Sequence, residues 1–276
     1  FSDDCSIRKS RMMTYFTYKG IPLPTMGYSE ESLSYMENEF QLLDDDVVTV
    51  SYPKSGTNWM LEILGLIWHD GDPSWVQSVF MANRSPWIET VDGLNVALNY
   101  PPPRFLTTHL PFQFFPKSFL HSKCKVSKNE FPNVTSLAHL FIFHLCLGFA
   151  FPVMFGSWFD HVKGWMKLKE RPNFFLITYE ELQQDLRGSV KKICHFLGKE
   201  LASHQLDEVT KYASFQIMKD NKMSNYSLLP SMDHSKGKFM RKGVCGDWKN
   251  HLTVAQSEHF DHVYQEKMQG VGVTFP

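Results

Sequence analysis

An α/β fold, a single domain with a central parallel sheet flanked by helices, is predicted by two strand-then-helix units and by the turn inside the first. That unit passes from the β-branched run Val47-Val48-Thr49-Val50 through a lysine-glycine turn into the apolar, helix-forming residues 61–68. The second sets a short buried-strand pattern at 173–179 before apolar residues at helical spacing from 180 to 197, stopped by Gly198. Alternating strands and helices imply a parallel sheet covered on both faces, whose ligands sit beyond the carboxyl ends of the strands. Lys54 and Tyr179 both fall at that edge.

The turn reads Tyr-Pro-Lys-Ser-Gly-Thr-Asn-Trp-Met over residues 52–60. A strand that opens a helix through a tight turn leaves the first helical N–H groups pointing outward with the positive end of the helix dipole behind them. Gly56 lets the backbone approach an anion, Lys54 adds a charge, and Ser55 and Thr57 add hydroxyls. This P-loop-like strand-turn-helix is therefore a phosphate cradle. It departs from the nucleoside-triphosphate pattern, in which lysine follows the second glycine and a hydroxyl holds Mg²⁺. Trp59 stands at its mouth, placed to stack on a base or to pack in the core.

With 276 residues and no linker, repeat or low-complexity tract, the chain reads as one domain spanning 1–276. Residues 1–11 read as an extraneous N-terminal extension, with Met12 or Met13 as an alternative start. A formal net charge of -1, spread along the chain, argues against a nucleic-acid surface. Five scattered cysteines without CxxC spacing predict reduced thiols, a cytoplasmic setting and no metal site.

Two further segments carry chemistry. Residues 239–250 place Arg241 and Lys242 next to Gly243 in a stretch without helical or strand period; a planar guanidinium beside a compact ammonium suits a terminal phosphate. His109 ends the extended run 104–108 just before Leu110-Pro111, where the chain must leave the sheet.

The ordered motifs YPKSGTNW, THLP, ITYEEL, SFQIMKDNKMSNYS and FMRKGVCGDWKNHLT resemble the cytosolic sulfotransferases, and the flanks IPLPTMG, NRSPW, FPKSF and GSWFDHVKGW are most similar to the hydroxysteroid and bile-acid branch. The resemblance implies a co-substrate, 3′-phosphoadenosine 5′-phosphosulfate, whose sulfuryl group passes to a hydroxyl of a steroid, bile acid or similar apolar alcohol without a metal. It implies that Lys54, Ser55, Gly56, Thr57, Asn58 and Trp59 hold the 5′-phosphosulfate and adenine. Tyr179, Ser214, Phe215 and Met218 then close the adenine pocket, and Arg241, Lys242 and Gly243 grip the 3′-phosphate. His109 takes the position of the catalytic base and Lys54 neutralises the leaving oxygen. An unperturbed imidazole pKa near 6.5 suits a base at neutral pH. Phe16, Tyr18, Trp75, Trp87 and Tyr226 are candidates to line an apolar acceptor pocket. Lys249, Thr253, Val254 and Glu258 match the family's short dimerisation motif, implying a homodimer.

The resemblance breaks after Val126: residues 127–152 do not match the family's central strand, its RNPRD-type turn and a downstream serine that complete the 3′-phosphate site. Losing those charge-assisted bonds implies donor binding weaker by roughly 10²- to 10⁴-fold. It also predicts a sheet with two unpaired edges, which residues 141–146 could repair as a substitute strand. A membrane helix over 137–155 is disfavoured by two histidines, a glycine and a proline. Ala213 stands where the family tends to carry a hydroxyl. Three functions follow: the sulfotransferase, a non-catalytic steroid or bile-acid binding protein descended from it, and a nucleotide kinase, disfavoured by the misplaced lysine.

Overall fold

The computed structural model describes residues 14–130, 153–229 and 237–271. Its centre is a four-stranded, all-parallel sheet in the order β4-β3-β5-β6, with β3 at Val47–Ser51, β4 at Phe105–Thr108, β5 at Lys125–Glu130 and β6 at Phe174–Thr178. A separate antiparallel hairpin joins β1, Tyr15–Tyr18, to β2, Ile21–Pro24. The described helices are α1 (Glu30–Asn38), α2 (Thr57–Trp68), α3 (Ser74–Ser78), α4 (Met81–Arg84), α5 (Val91–Asn99), α6 (Trp158–Met166), α7 (Tyr179–Gln184), α8 (Leu186–Leu197), α9 (Ser203–Tyr212), α10 (Phe215–Met218) and α11 (Val254–Met268).

The sheet is closed where the sequence predicted a gap. β5 lies between β3 and β6, with Val50 opposite Lys128, Ser51 opposite Asn129 and Glu130 opposite Thr178. Backbone pairing asks for N–H and C=O groups rather than particular side chains, so the polar run Ser127 to Glu130 completes a buried strand in which Lys128 and Glu130 pair with each other. The substitute strand at 141–146, the candidate membrane segment up to residue 152 and the N-terminal extension lie outside the described residues. Among the described residues no helix is long and apolar enough to cross a membrane.

Alternation along the strands sends side chains to two cores. Val48, Val50, Leu106 and Val126 face a large cluster with α1, α5 and α6, and Phe260 of α11. Val47, Phe105 and Ile177 face the opposite cluster, formed with α2, α8 and α9. The helix predicted from 180 to 197 is two helices. At Asp185 the backbone turns extended, φ -147° and ψ 84°, and its carboxylate accepts the Gly188 N–H at 2.8 Å, so a capping residue starts α8 afresh. Thr178 caps α7 in the same way, with Glu181 reaching back to the Thr178 N–H at 2.9 Å, which fixes Tyr179 as the first residue beyond β6.

Candidate active site

The crevice beyond the carboxyl ends of β3, β4 and β5 gathers most of the candidate residues. In the turn after β3, Lys54 and Gly56 both adopt left-handed backbone, φ 70° and 84°. Gly56 is required there: a Cβ would meet Tyr179 Cδ2 at 2.9 Å and Asn129 Nδ2 at 3.3 Å. The Thr57 hydroxyl is 2.6 Å from the Ser51 hydroxyl, which ties the start of α2 back to the strand it follows. The N–H groups of Gly56, Thr57 and Asn58 have no hydrogen-bond partner among the described residues, as an anion cradle at a helix N-terminus requires. Burial, reinforced by the charge of Arg241, lowers the pKa of Lys54 from its ordinary value.

Trp59 and Tyr179 meet edge to face at 5.1 Å, forming an aromatic wall beside the turn. The Trp59 indole donates to the Ala213 carbonyl at 2.7 Å, so the position that lacks the family's hydroxyl still orients this wall through its backbone. Ser214 precedes α10, Met218 is buried, and Phe215 packs so tightly under Gly243 that a Cβ there would lie 2.3 Å from its ring. The Gly243 carbonyl accepts from Gln183 Nε2 at 3.0 Å, and the same nitrogen donates to the Tyr179 hydroxyl at 3.0 Å. The adenine-side candidates and the basic loop thus form one continuous wall.

His109 sits immediately after β4. Its Nδ1 donates to the Ser51 carbonyl at 2.7 Å, and because a carbonyl only accepts, this fixes the proton on Nδ1 and the lone pair on Nε2. Burial lowers its pKa to about 4, with the charges of Lys54 and Lys128 acting in the same direction. The sequence expectation of an unperturbed value near 6.5 is therefore corrected: His109 is neutral across the physiological range because the site is dry and cationic. Its backbone N–H donates to Oε1 of Glu89 at 2.8 Å, and burial pushes that carboxyl up to about 7. The imidazole packs on Trp87 at 4.3 Å and meets Phe155 edge to face at 5.6 Å.

Behind His109 lies a charged pair that sequence reasoning missed. Lys128 and Glu130 are fully buried, with Nζ 2.5 Å from Oε2; Lys128 also donates to His161 Nδ1 at 3.3 Å, and the Trp158 indole donates to Glu130 Oε1 at 2.6 Å. A Lys-x-Glu alternation in a strand bounded by apolar neighbours is the signal that could have found it.

Both cations of the basic loop are engaged by one carboxylate. Arg241 Nη1 bonds Asp247 Oδ2, Lys242 Nζ lies 2.6 Å from Oδ1, and Asn250 and His251 add bonds at 2.9 and 3.1 Å. Lys242 first, then Arg241, holds the Asp247 carboxyl far below the usual range. The two cations remain about half exposed, at 48% and 50%.

The aromatic acceptor candidates are not brought together. Trp87 touches His109, and Phe16 packs against the same core as Phe155. Tyr18 is buried, its hydroxyl donating to Glu37 at 3.0 Å and its ring edge-on to Phe114. Tyr226 belongs beside the turn: its hydroxyl donates to Asn58 Oδ1 at 3.3 Å and its ring meets Phe80 and Phe239. Trp75 lies elsewhere, stacked on His69 at 4.4 Å and lining a cavity of about 230 Å³ with Trp68, Tyr100 and Phe105. Its placement follows from α3 packing onto α2, where Trp75 joins the cluster of Met60, Leu64 and Ile67.

The family model described as the sulfotransferase domain matches residues 44–127 and 146–272. Mouse sulfotransferase 2B1 is 50% identical, covering 93% of this chain and 81% of that protein. Guinea-pig 3-beta-hydroxysteroid sulfotransferase is 46% identical over 92% of this chain and 94% of its own length. Among solved structures, mouse sulfotransferase SULT7A1 complexed with PAP is 28% identical, covers 93% of this chain and 94% of that one, and superposes with a TM-score of 0.74. A retinol dehydratase in a complex with retinol and PAP, 21% identical with a TM-score of 0.78 over 96% of this chain and 92% of its own, shares the fold. A phosphate-type turn, a histidine fixed beside it, and these matches across most of the chain's length establish that it belongs to the sulfotransferase domain family.

Proposed function

We propose that this chain transfers a sulfuryl group from 3′-phosphoadenosine 5′-phosphosulfate to a hydroxyl of a steroid, bile acid or similar apolar alcohol. The observation that carries the reading is the pairing of Ser51 with His109: the strand that launches the cradle also holds the imidazole, through its last carbonyl, with Nε2 left as the base. The residues present fit such a donor. Gly56 supplies the left-handed backbone of the turn, the Gly56, Thr57 and Asn58 N–H groups are unpartnered among the described residues, and Lys54, Arg241 and Lys242 supply positive charge.

The donor, when bound, supplies the sulfuryl group; the chain supplies the rest. His109 Nε2 accepts the proton of the acceptor hydroxyl as its oxygen bonds to sulfur, a contribution of roughly 10²- to 10⁴-fold. Lys54 stabilises the negative charge left on the phosphate oxygen when its bond to sulfur breaks. Trp87 and Phe155 flank the imidazole with apolar surface suited to a rigid ring system. Burial of His109 keeps it deprotonated and ready.

A cytoplasmic setting is supported by free Cys124, Cys194 and Cys245. A homodimer through Lys249, Thr253, Val254 and Glu258 is supported by the 75% exposure of apolar Val254 at the start of α11, whose cap Thr253 holds the Gln256 N–H. Turnover of labelled donor with a 3-hydroxysteroid tests the function. His109→Ala is expected to lower kcat by roughly 10²- to 10⁴-fold with PAP affinity unchanged. Retained steroid binding without PAP binding in the wild type would favour the binding protein instead.

A further inference from the structure

We propose that Asn129 is a donor-binding residue whose side-chain amide bonds the phosphate group seated in the cradle, a role that rests on the donor reading above. Asn129 is the penultimate residue of β5, opposite Ser51 on one side and Ile177 on the other, so it reaches the same crevice as the turn after β3. It is fully buried, yet among the described residues neither Oδ1 nor Nδ2 has a hydrogen-bond partner. Buried amides are almost always paired, and leaving both ends of one unpaired is costly.

Its direction is recorded by Gly56. The place a Cβ would take at Gly56 lies 3.3 Å from Asn129 Nδ2, with the Tyr179 ring 2.9 Å away from the same point. The amide therefore faces the turn whose Gly56, Thr57 and Asn58 N–H groups are also unpartnered among the described residues. An anion with several acceptor oxygens satisfies all of these donors together, which no single neutral group could. Ser127, two residues earlier on the same face, is buried and unpartnered as well, but it sits inside the sheet opposite Thr49 rather than at its edge. Among the described residues, Asn129 combines the orphaned donor with the reach.

The source of the phosphate is separable, because PAP carries both a 5′- and a 3′-phosphate whereas adenosine 3′-phosphate lacks the group assigned to the cradle. Calorimetric titration of both ligands into wild type, Asn129→Leu and Asn129→Asp tests the assignment. PAP binding is expected to weaken roughly 10-fold in Asn129→Leu and about 100-fold or more in Asn129→Asp, where a carboxylate faces the anion. Adenosine 3′-phosphate should stay within about twofold of wild type in Asn129→Leu. The unliganded Asn129→Leu protein should melt at a higher temperature than wild type, since an apolar side chain replaces an unsatisfied one. A purely structural asparagine would give the opposite sign.

Unchanged PAP affinity in Asn129→Leu, equal losses for the two ligands, or a lowered melting temperature would each overturn the assignment. Wild-type protein that binds no PAP would remove the donor reading and this inference with it.

Discussion

The two cationic walls of the crevice are built on opposite principles. The turn after β3 holds its anion-binding groups through backbone: two left-handed residues, a helix N-terminus and a strand carbonyl that fixes His109. The loop at 241–247 relies on two half-exposed side chains, both engaged by Asp247. Preorganised donors cost no rearrangement when charge arrives, whereas Arg241 and Lys242 would have to exchange Asp247 for any other anion. The first wall therefore sets whether the site exists, and the second sets how tightly it closes.

The largest way to break the contrast is Lys128→Met. It strands Glu130 as an uncompensated buried charge behind His109 and should cost about 3 to 5 kcal/mol, read from denaturant unfolding. Lys128→Met combined with Glu130→Leu should recover most of that loss. A single variant as stable as wild type would show that the pair is not part of the rigid wall.

Glu89→Gln probes the same wall through pH. Glu89 titrates near 7 in the fold against about 4.5 in the unfolded chain, so its contribution is fully present below pH 4.5 and lost as pH rises through 7. Glutamine keeps an acceptor for the His109 N–H without the charge. The variant should match wild type at pH 4.5 and exceed it by about 3 kcal/mol above pH 8. His109 acts in the other direction, its folded value of about 4 withdrawing stability as pH falls from 6.5. Equal stability differences at both pH values would sink the assignment of Glu89 as a buried, reluctantly charged group.

Gly56→Ala should cost about 1 to 3 kcal/mol, because φ 84° and the Tyr179 contact both oppose a Cβ, and should weaken PAP binding in step. The smallest effect belongs to the exposed wall. Asp247→Asn should tighten PAP binding by about 3- to 10-fold at low ionic strength, with the gain fading at high salt. Weaker binding at every salt concentration would mean that Asp247 positions the two cations instead of competing for them.

Much of this arrangement was legible in the chain. The β-branched run before Lys54 and the apolar run after it required a strand and a helix, and the glycine between them marked the one point where backbone had to turn left-handed. His109 was readable as the end of an extended run. What escaped was everything set by contacts between distant segments. The motif break after Val126 predicted a missing strand, yet backbone pairing with β3 and β6 accepts Ser-Lys-Asn-Glu because Lys128 neutralises Glu130 within the same strand. Trp75 and Trp87 look equivalent in sequence, and only the packing of α3 onto α2 separates Trp75 from His109.

The sequence by itself determined the order of strands and helices, the glycine turn after β3 and the place of the candidate base at the end of β4, since these depend on local periodicity, on glycine's conformational freedom and on side-chain chemistry. Tertiary structure decided that His109 is neutral, that Asp247 shields the basic loop and that Asn129 faces the turn unpaired. Each of those depends on burial and on neighbours far away in the chain, which no local pattern encodes.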